Sequence, residues 1–226
     1  MSDDLKKGFL IAIKDSFEAY NEYGARSNKK LIQIHEWFAN EIISELGEGY
    51  SIKSLGTGGE YKIEGKYYPK ILDITVLSDQ KPIVTLSFKF VTSNYTQNSN
   101  NYFENLLGET ANIRRTGVGF AHFLVLRGST PYYYKAEGNK RGQLKKMEKL
   151  SEHHIKKYIE LFKDIDFPHK PDALGMAIID FDVNRNPCFT NLKELGLQEE
   201  TIKIIETNFS VETFIKKVRA LCELKK

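Results

Sequence analysis

The chain of 226 residues predicts an α/β (α+β) fold, a central mixed β-sheet flanked by helices. Three observations carry that prediction. Short runs rich in β-branched and aromatic residues alternate with longer stretches of helical periodicity. One run, Phe120 to Leu126, is almost wholly apolar, as a strand covered on both faces must be. The composition, 41% hydrophobic and 28% charged, is that of an ordinary globular domain with a sizeable core.

The elements follow in order. Asp3 to Tyr20 reads as a helix, and the polar stretch Asn21 to Lys30 with Gly24 as a loop. From Leu31, apolar residues recur at 31, 34, 38, 42 and 46, the period of an amphipathic helix, with Ser27 or Asn28 as its cap and Gly47 and Gly49 at its end. Tyr50 to Leu55 and Glu60 to Glu64 read as short strands separated by Gly56, Gly58 and Gly59. Ile71 to Leu77 and Ile83 to Val91 read as two strands joined by the turn Ser78-Asp79-Gln80-Lys81-Pro82. Asn98 to Arg114 is a helix, Ser151 to Lys163 another, and Gly175 to Phe181 a strand. The tail from Gln198 is helical, broken at Asn208-Phe209 and recapped by Ser210. No repeat or linker interrupts the pattern. A single domain over 1–226 is expected, with its core over about 31–126 and a helical C-terminal part over about 151–226.

Bulk properties narrow the function only a little. The net charge of +3 is too small to identify a nucleic-acid partner. Charge is concentrated, however. Between Lys135 and Lys157 stand eight Lys or Arg against three Glu, a local +5 able to face phosphate. The two cysteines, Cys188 and Cys222, are far apart with no metal-ligand spacing, which favours a reducing compartment. The N-terminal apolar run is interrupted at Lys14 and Asp15, unlike a signal peptide, and no run approaches a membrane span. A cytoplasmic protein is expected.

The chemistry concentrates between Ile71 and Arg115. If the hairpin turns about residue 80, Asp73 lies across from Ser87. Side chains alternate along a strand, so Ser87 and Lys89 share one face and Phe88 and Phe90 the other. An acid, a hydroxyl and an amine then occupy one patch. Phosphodiester hydrolysis needs an activated water, neutralisation of phosphate charge and a stabilised leaving oxygen. A divalent ion on carboxylates supplies much of this, with a lysine beside it. Magnesium takes hard oxygen ligands and keeps several waters, so two carboxylates suffice. Ser87 cannot be one of them. Glu104, on the following helix, is expected to supply the missing charge, on a face with Asn101, Gly108, Ala111 and Asn112. Glu109 ranks second, and Glu60, Glu64 and Glu36 are further candidates.

An Asp in one strand and x-x-Lys in the next, with an adjacent acid, resembles the PD-(D/E)xK nuclease superfamily. The resemblance covers about Leu31 to Leu126, and LDITV…IVTLSFKFVTSNYTQNSNNYFENLLGETANIR is similar to type II restriction enzymes. It implies a restriction-endonuclease-like core, Mg2+ as cofactor, and cleavage of double-stranded DNA at a short palindromic site by a homodimer. Two positions depart from the family pattern: residue 72 is Leu, not Pro, and residue 87 is Ser, not Asp or Glu. In a subset of restriction enzymes, Ser-x-Lys goes with a carboxylate displaced onto the next helix, where Glu104 lies. The candidate catalytic set is therefore Asp73, Lys89, Glu104 and Ser87, with Asp73, Glu104 and Glu60 as metal ligands.

Amides of Asn94, Gln97, Asn98, Asn100 and Asn101 follow the Lys89 strand and suit adenine edges or phosphates. Arg114, Arg115, Lys140 and Arg141 complete the candidate DNA-binding set. Arg127 and Lys135, beside the PYYY run, are also available. The pair His153-His154 reads as surface or cap, His35 and His122 as packed core histidines, and Asp180 and Asp182 as structural. Ser87 also suits a second class of function, a non-catalytic DNA-binding module on a decayed nuclease fold. A structural or protein-interaction domain is the third.

Overall fold

The ten-residue strand β5 (Lys81–Phe90) is the axis of the molecule. The computed structural model describes residues 2–24, 26–134 and 140–226. Its other elements, in chain order, are α1 (Asp3–Tyr23), α2 (Ile32–Ile43), β1 (Tyr50–Ser54), β2 (Tyr61–Glu64), β3 (Pro69–Leu72) and β4 (Ile74–Ser78). After β5 come α3 (Tyr95–Arg114), β6 (Gly119–Arg127), β7 (Ser129–Tyr133), β8 (Leu144–Lys149) and α4 (Glu152–Lys163). The chain ends with β9 (Ala173–Phe181), β10 (Pro187–Phe189), α5 (Glu199–Thr207) and α6 (Val211–Lys225).

Six strands form one mixed sheet in the order β1-β4-β5-β6-β9-β10. β1, β4 and β5 pair antiparallel, while β5, β6 and β9 run parallel. Parallel neighbours need a crossover, and α3 supplies it between β5 and β6. The expected mixed sheet between helices is therefore the observed architecture, with β6 central. The nearly unbroken burial along β6 follows from that position.

Alternation along the strands builds two cores. Leu86, Phe88, Phe123 and Ala177 face α1, α2 and α6, meeting Phe9, Phe38 and Phe214. Phe120, Leu124, Met176 and Ile178 face the opposite layer, meeting Leu106 and Ile113 of α3, Tyr158 of α4 and Ile205 of α5. The Phe88 and Phe123 rings stack in parallel across neighbouring strands, 5.9 Å apart. Ser87 and Lys89, being odd-numbered, are thereby turned toward the α3 layer.

The hairpin differs from expectation in two compensating ways. Its turn is two residues, Asp79 and Gln80, with φ of 48° and 65°. Such left-handed pairs match the twist of a tight hairpin. Continued unbroken, that turn would pair Asp73 with Leu86 and turn Ser87 away. A β-bulge between Val76 and Leu77 adds one residue on the β5 side, next to Pro82, which has no N–H to give the ladder. Below the bulge, Ile74 pairs with Leu86, which sets Asp73 across from Ser87.

Further boundaries depart from the sequence expectations. The Ile71–Leu77 run is not one strand: it breaks at Asp73 into β3, paired with β2, and β4, paired with β5. α3 begins at Tyr95 rather than Asn98, because Tyr95 itself is buried in the core of that layer. The PYYY run opens a two-stranded ribbon, β7–β8, separate from the main sheet. Among the described residues, no helix is long and apolar enough to cross a membrane.

Candidate active site

The break at Asp73 opens the sheet. As β3 leaves, β5 continues past Leu86 with β6 alone as its strand partner among the described residues. The N–H of Phe88 would otherwise be unpaired there, and it donates to Asp73 Oδ2 at 2.6 Å. One residue earlier, the buried Ser87 hydroxyl donates to Glu109 Oε2 at 3.0 Å. Two carboxylates thus meet β5 at adjacent residues. Lys89, half-buried, follows on the face that Ser87 occupies.

The carboxylate that α3 brings to Ser87 is Glu109, not Glu104. Five residues separate them, which at 3.6 residues per turn is roughly 140° around the helix. α3 turns Leu106, Glu109, Thr110 and Ile113 toward the sheet. Glu104 is exposed, and the lysine it influences is Lys157 of α4. The small residues at 108 and 111 do not mark the packed face, since Gly108 is exposed.

Glu109 is 8% exposed and would be costly as a lone charge. It is compensated by Lys70 of β3, whose Nζ lies 2.8 Å from Oε1. Burial works against the Lys70 ammonium, but the hydrogen bond and charge of Glu109, with Asp73 adding, raise it above the ordinary lysine value. Lys70 is set in place by Asn112, one turn beyond Glu109. Asn112 Oδ1 accepts from Tyr67 N at 2.8 Å and Tyr68 N at 3.3 Å, and its Nδ2 donates to Tyr68 O at 2.9 Å. These bonds tie the β2–β3 turn to α3. Gly65 makes the approach possible, since a Cβ there would lie 2.2 Å from Asn112 Nδ2. Neither Lys70 nor Asn112 was foreseeable from spacing, because both contacts join segments some forty residues apart.

Glu60 follows Gly58 and Gly59, both at positive φ, and is half-buried. Burial, then the charge of Asp73, raise its carboxyl above the ordinary range. Glu64 instead pairs with Lys62 at 3.1 Å in solvent, and Glu36 is exposed. His35 and His122 are buried, and no ring nitrogen of either has a hydrogen-bond partner among the described residues. Burial lowers His35 to about 4; Asp73 opposes that shift and Lys89 adds to it. Burial and then Lys89 hold His122 well below the ordinary histidine value. Both are core histidines, as expected, but they also border the site.

The expected DNA contacts divide. Gln97, Asn98 and Asn101 are exposed on the first turns of α3, which starts early enough to include Gln97 as well. Asn94 adopts a left-handed conformation at the N-cap. Its N–H donates to Tyr132 Oη at 2.7 Å, and its Oδ1 accepts from that hydroxyl at 3.1 Å. Asn100 Oδ1 accepts from Lys157 at 2.8 Å. Arg114 does not face solvent. It binds Asp166 and Asp172 at 2.8 Å and donates to Phe167 O and Lys170 O, closing the loop before β9. Arg115 is exposed and donates to Tyr67 Oη at 2.5 Å. Lys140 and Arg141 are exposed ahead of β8, with Lys145, Lys146 and Lys149 on that strand. Lys135 and Glu137 lie outside the described residues. His154 caps α4 through Ser151, while Asp180 binds Ser129 N and Thr190 Oγ1, both structural as read.

Comparison with protein-family models, with curated proteins and with solved structures gives no match.

Proposed function

We propose that this protein is a magnesium-dependent endodeoxyribonuclease that hydrolyses phosphodiester bonds in double-stranded DNA, on a site resembling that of type II restriction enzymes. The observation that carries the reading is the meeting of Asp73 and Glu109 at adjacent residues of β5, with Lys89 one position on. The order α2, β1, β4, β5, α3, β6 carries the same resemblance as the motif.

The donor set suits magnesium. Asp73 and Glu109 offer hard carboxylate oxygens, and Glu60 stands near enough to Asp73 for their charges to repel. Among the described residues, no group of three or more His, Cys, Asp or Glu is gathered to hold a metal. The residues proposed to hold the ion are Asp73 and Glu109, with Glu60 as a third candidate and water completing the shell. When bound, the ion supplies charge neutralisation at phosphate and a more acidic water. Asp73 holds its orientation through the Phe88 N–H, and Ser87 orients Glu109. The role assigned to the Lys89 ammonium is to meet the incoming phosphate and orient the attacking water.

Duplex DNA would meet the exposed amides of α3 and the basic β7–β8 ribbon, joined to each other by Asn94 and Tyr132. Recognition of a palindromic site by a homodimer belongs to this proposal. In the deciding experiment, plasmid DNA is incubated with Mg2+ and with EDTA. The wild type is expected to give metal-dependent products, and Asp73→Ala and Lys89→Ala to give none while remaining folded. Full cutting by Asp73→Ala would refute the reading. A second reading, a DNA-binding module without cleavage, is favoured by one observation: Ser87 and Lys70 already engage both oxygens of Glu109. It predicts duplex binding with no products in any metal.

A further inference from the structure

The ion pair that engages Glu109 joins the two strongest features of the site, a buried carboxylate and a partly exposed amine. We propose that Lys70 is the resident cation of this site: its ammonium stands in for a divalent ion in the free protein, and metal binds only by displacing it from Glu109. The inference rests on the metal-dependent reading above and adds a competitor built into the chain.

Glu109 is almost fully buried, and among the described residues its other oxygen receives only the neutral hydroxyl of Ser87. A counter-charge is needed whether or not metal is present, and the contact at 2.8 Å makes Lys70 that charge. Asp73 also acts on Lys70, so the amine lies within the field of both proposed ligands. Two cations at Glu109 Oε1 would repel, so Lys70 and metal compete for it.

Lys70 is also free to leave. Its side chain is 34% exposed, against 10% for Glu109. The backbone beneath it is fixed by Asn112, so displacement needs only rotamer changes along the stem. The released ammonium stays beside the carboxylates, where an entering phosphate is its natural partner. Metal alone then binds weakly, and a polyanion that takes up Lys70 strengthens metal binding, a coupling that must act equally in both directions.

The test is calorimetric titration of the DNA-free protein with MnCl2, so that no cleavage is needed. Lys70→Met is expected to bind Mn2+ at least about tenfold more tightly than wild type, a change of about 1.4 kcal/mol. Lys70→Arg keeps the charge and is expected to bind as weakly as wild type. Lys70→Gln keeps a hydrogen bond to Glu109 without the charge, is expected to tighten binding as well, and carries the test where Lys70→Met folds poorly. Glu109→Gln is expected to lose binding. If Glu109→Gln weakens binding but neither Lys70→Met nor Lys70→Gln tightens it, the metal site stands and the competitor role of Lys70 is overturned. If none of the proteins binds Mn2+, the metal-dependent reading fails together with this proposal.

Discussion

Replacing Glu109 with Gln, beside the same change at Glu104, separates the two faces of α3. Glu109 is 8% exposed and accepts charged and neutral hydrogen bonds at 2.8 and 3.0 Å. A charged hydrogen bond contributes about 1.5–3 kcal/mol when buried. Lys70 can regain water once released, which discounts that to about 1–2 kcal/mol for Glu109→Gln. Glu104 is exposed with no ion pair within bonding distance among the described residues, so Glu104→Gln should stay within about 0.5 kcal/mol of wild type. Activity should divide more sharply. Loss of a metal-holding carboxylate is expected to slow plasmid cleavage by at least about a hundredfold, exceeding the effect of an outer-shell partner. Glu104→Gln should cut at the wild-type rate. Urea unfolding and a timed assay on supercoiled plasmid in Mg2+ read both quantities. If Glu104→Gln stops cleavage while Glu109→Gln cuts normally, the placement of the second carboxylate is wrong.

Four other outcomes are expected. Gln80→Gly should add about 1 kcal/mol and raise Tm by about 2–4 °C, since it relieves a left-handed residue in the hairpin turn; an unchanged Tm in calorimetry would count against strain there. His35, lowered from 6.5 to about 4, is neutral in the fold but takes up a proton more readily when unfolded. Its contribution is complete above pH 6.5 and is lost as pH falls to about 4, a drop of about 3 kcal/mol that His35→Leu should flatten in urea titrations across that range. Replacing Lys145, Lys146 and Lys149 with Ala should reduce the salt slope of duplex binding by up to about 2.7, at about 0.9 per phosphate contact; anisotropy showing an unchanged slope would exclude the ribbon from the interface. Arg114→Met should cost about 2–3 kcal/mol through its lost clamp on Asp166 and Asp172 and leave DNA affinity as it was.

What the sequence made legible was periodic or local. The helical stripe from Leu31, the apolar β6, the Ser210 cap and the pairing of Asp73 with Ser87 all rest on spacings within one or two elements. The last came out right although the turn was read as five residues centred on residue 80 and is only Asp79 and Gln80, because the bulge restores the pairing that the wider turn would have set. The hidden features depend on contacts across the fold. Glu109 meets the sheet and Glu104 does not because of which α3 face packs there, and the apolar residues Phe103, Leu106 and Leu107 lie between the two. Arg114 looked like a free cation at a helix end, but its acidic partners come from a loop fifty residues further on. The start of α3 was obscured by a run of amides with poor helical preference, overridden by the burial of Tyr95.

The bulge in β5 leaves one residue of slack between the hairpin tip and the site. A deletion of a single residue between Pro82 and Thr85 can be absorbed by straightening the strand, with Ile74 still against Leu86 and Asp73 still beside Phe88. A single insertion there has no such outlet and must widen the bulge or slide the strand. The tip should therefore tolerate shortening better than lengthening. In chains descended from a common ancestor with this one, length differences in that segment should run to one residue fewer, with the Asp–Ser–Lys spacing measured from the open end of the sheet and not from the turn.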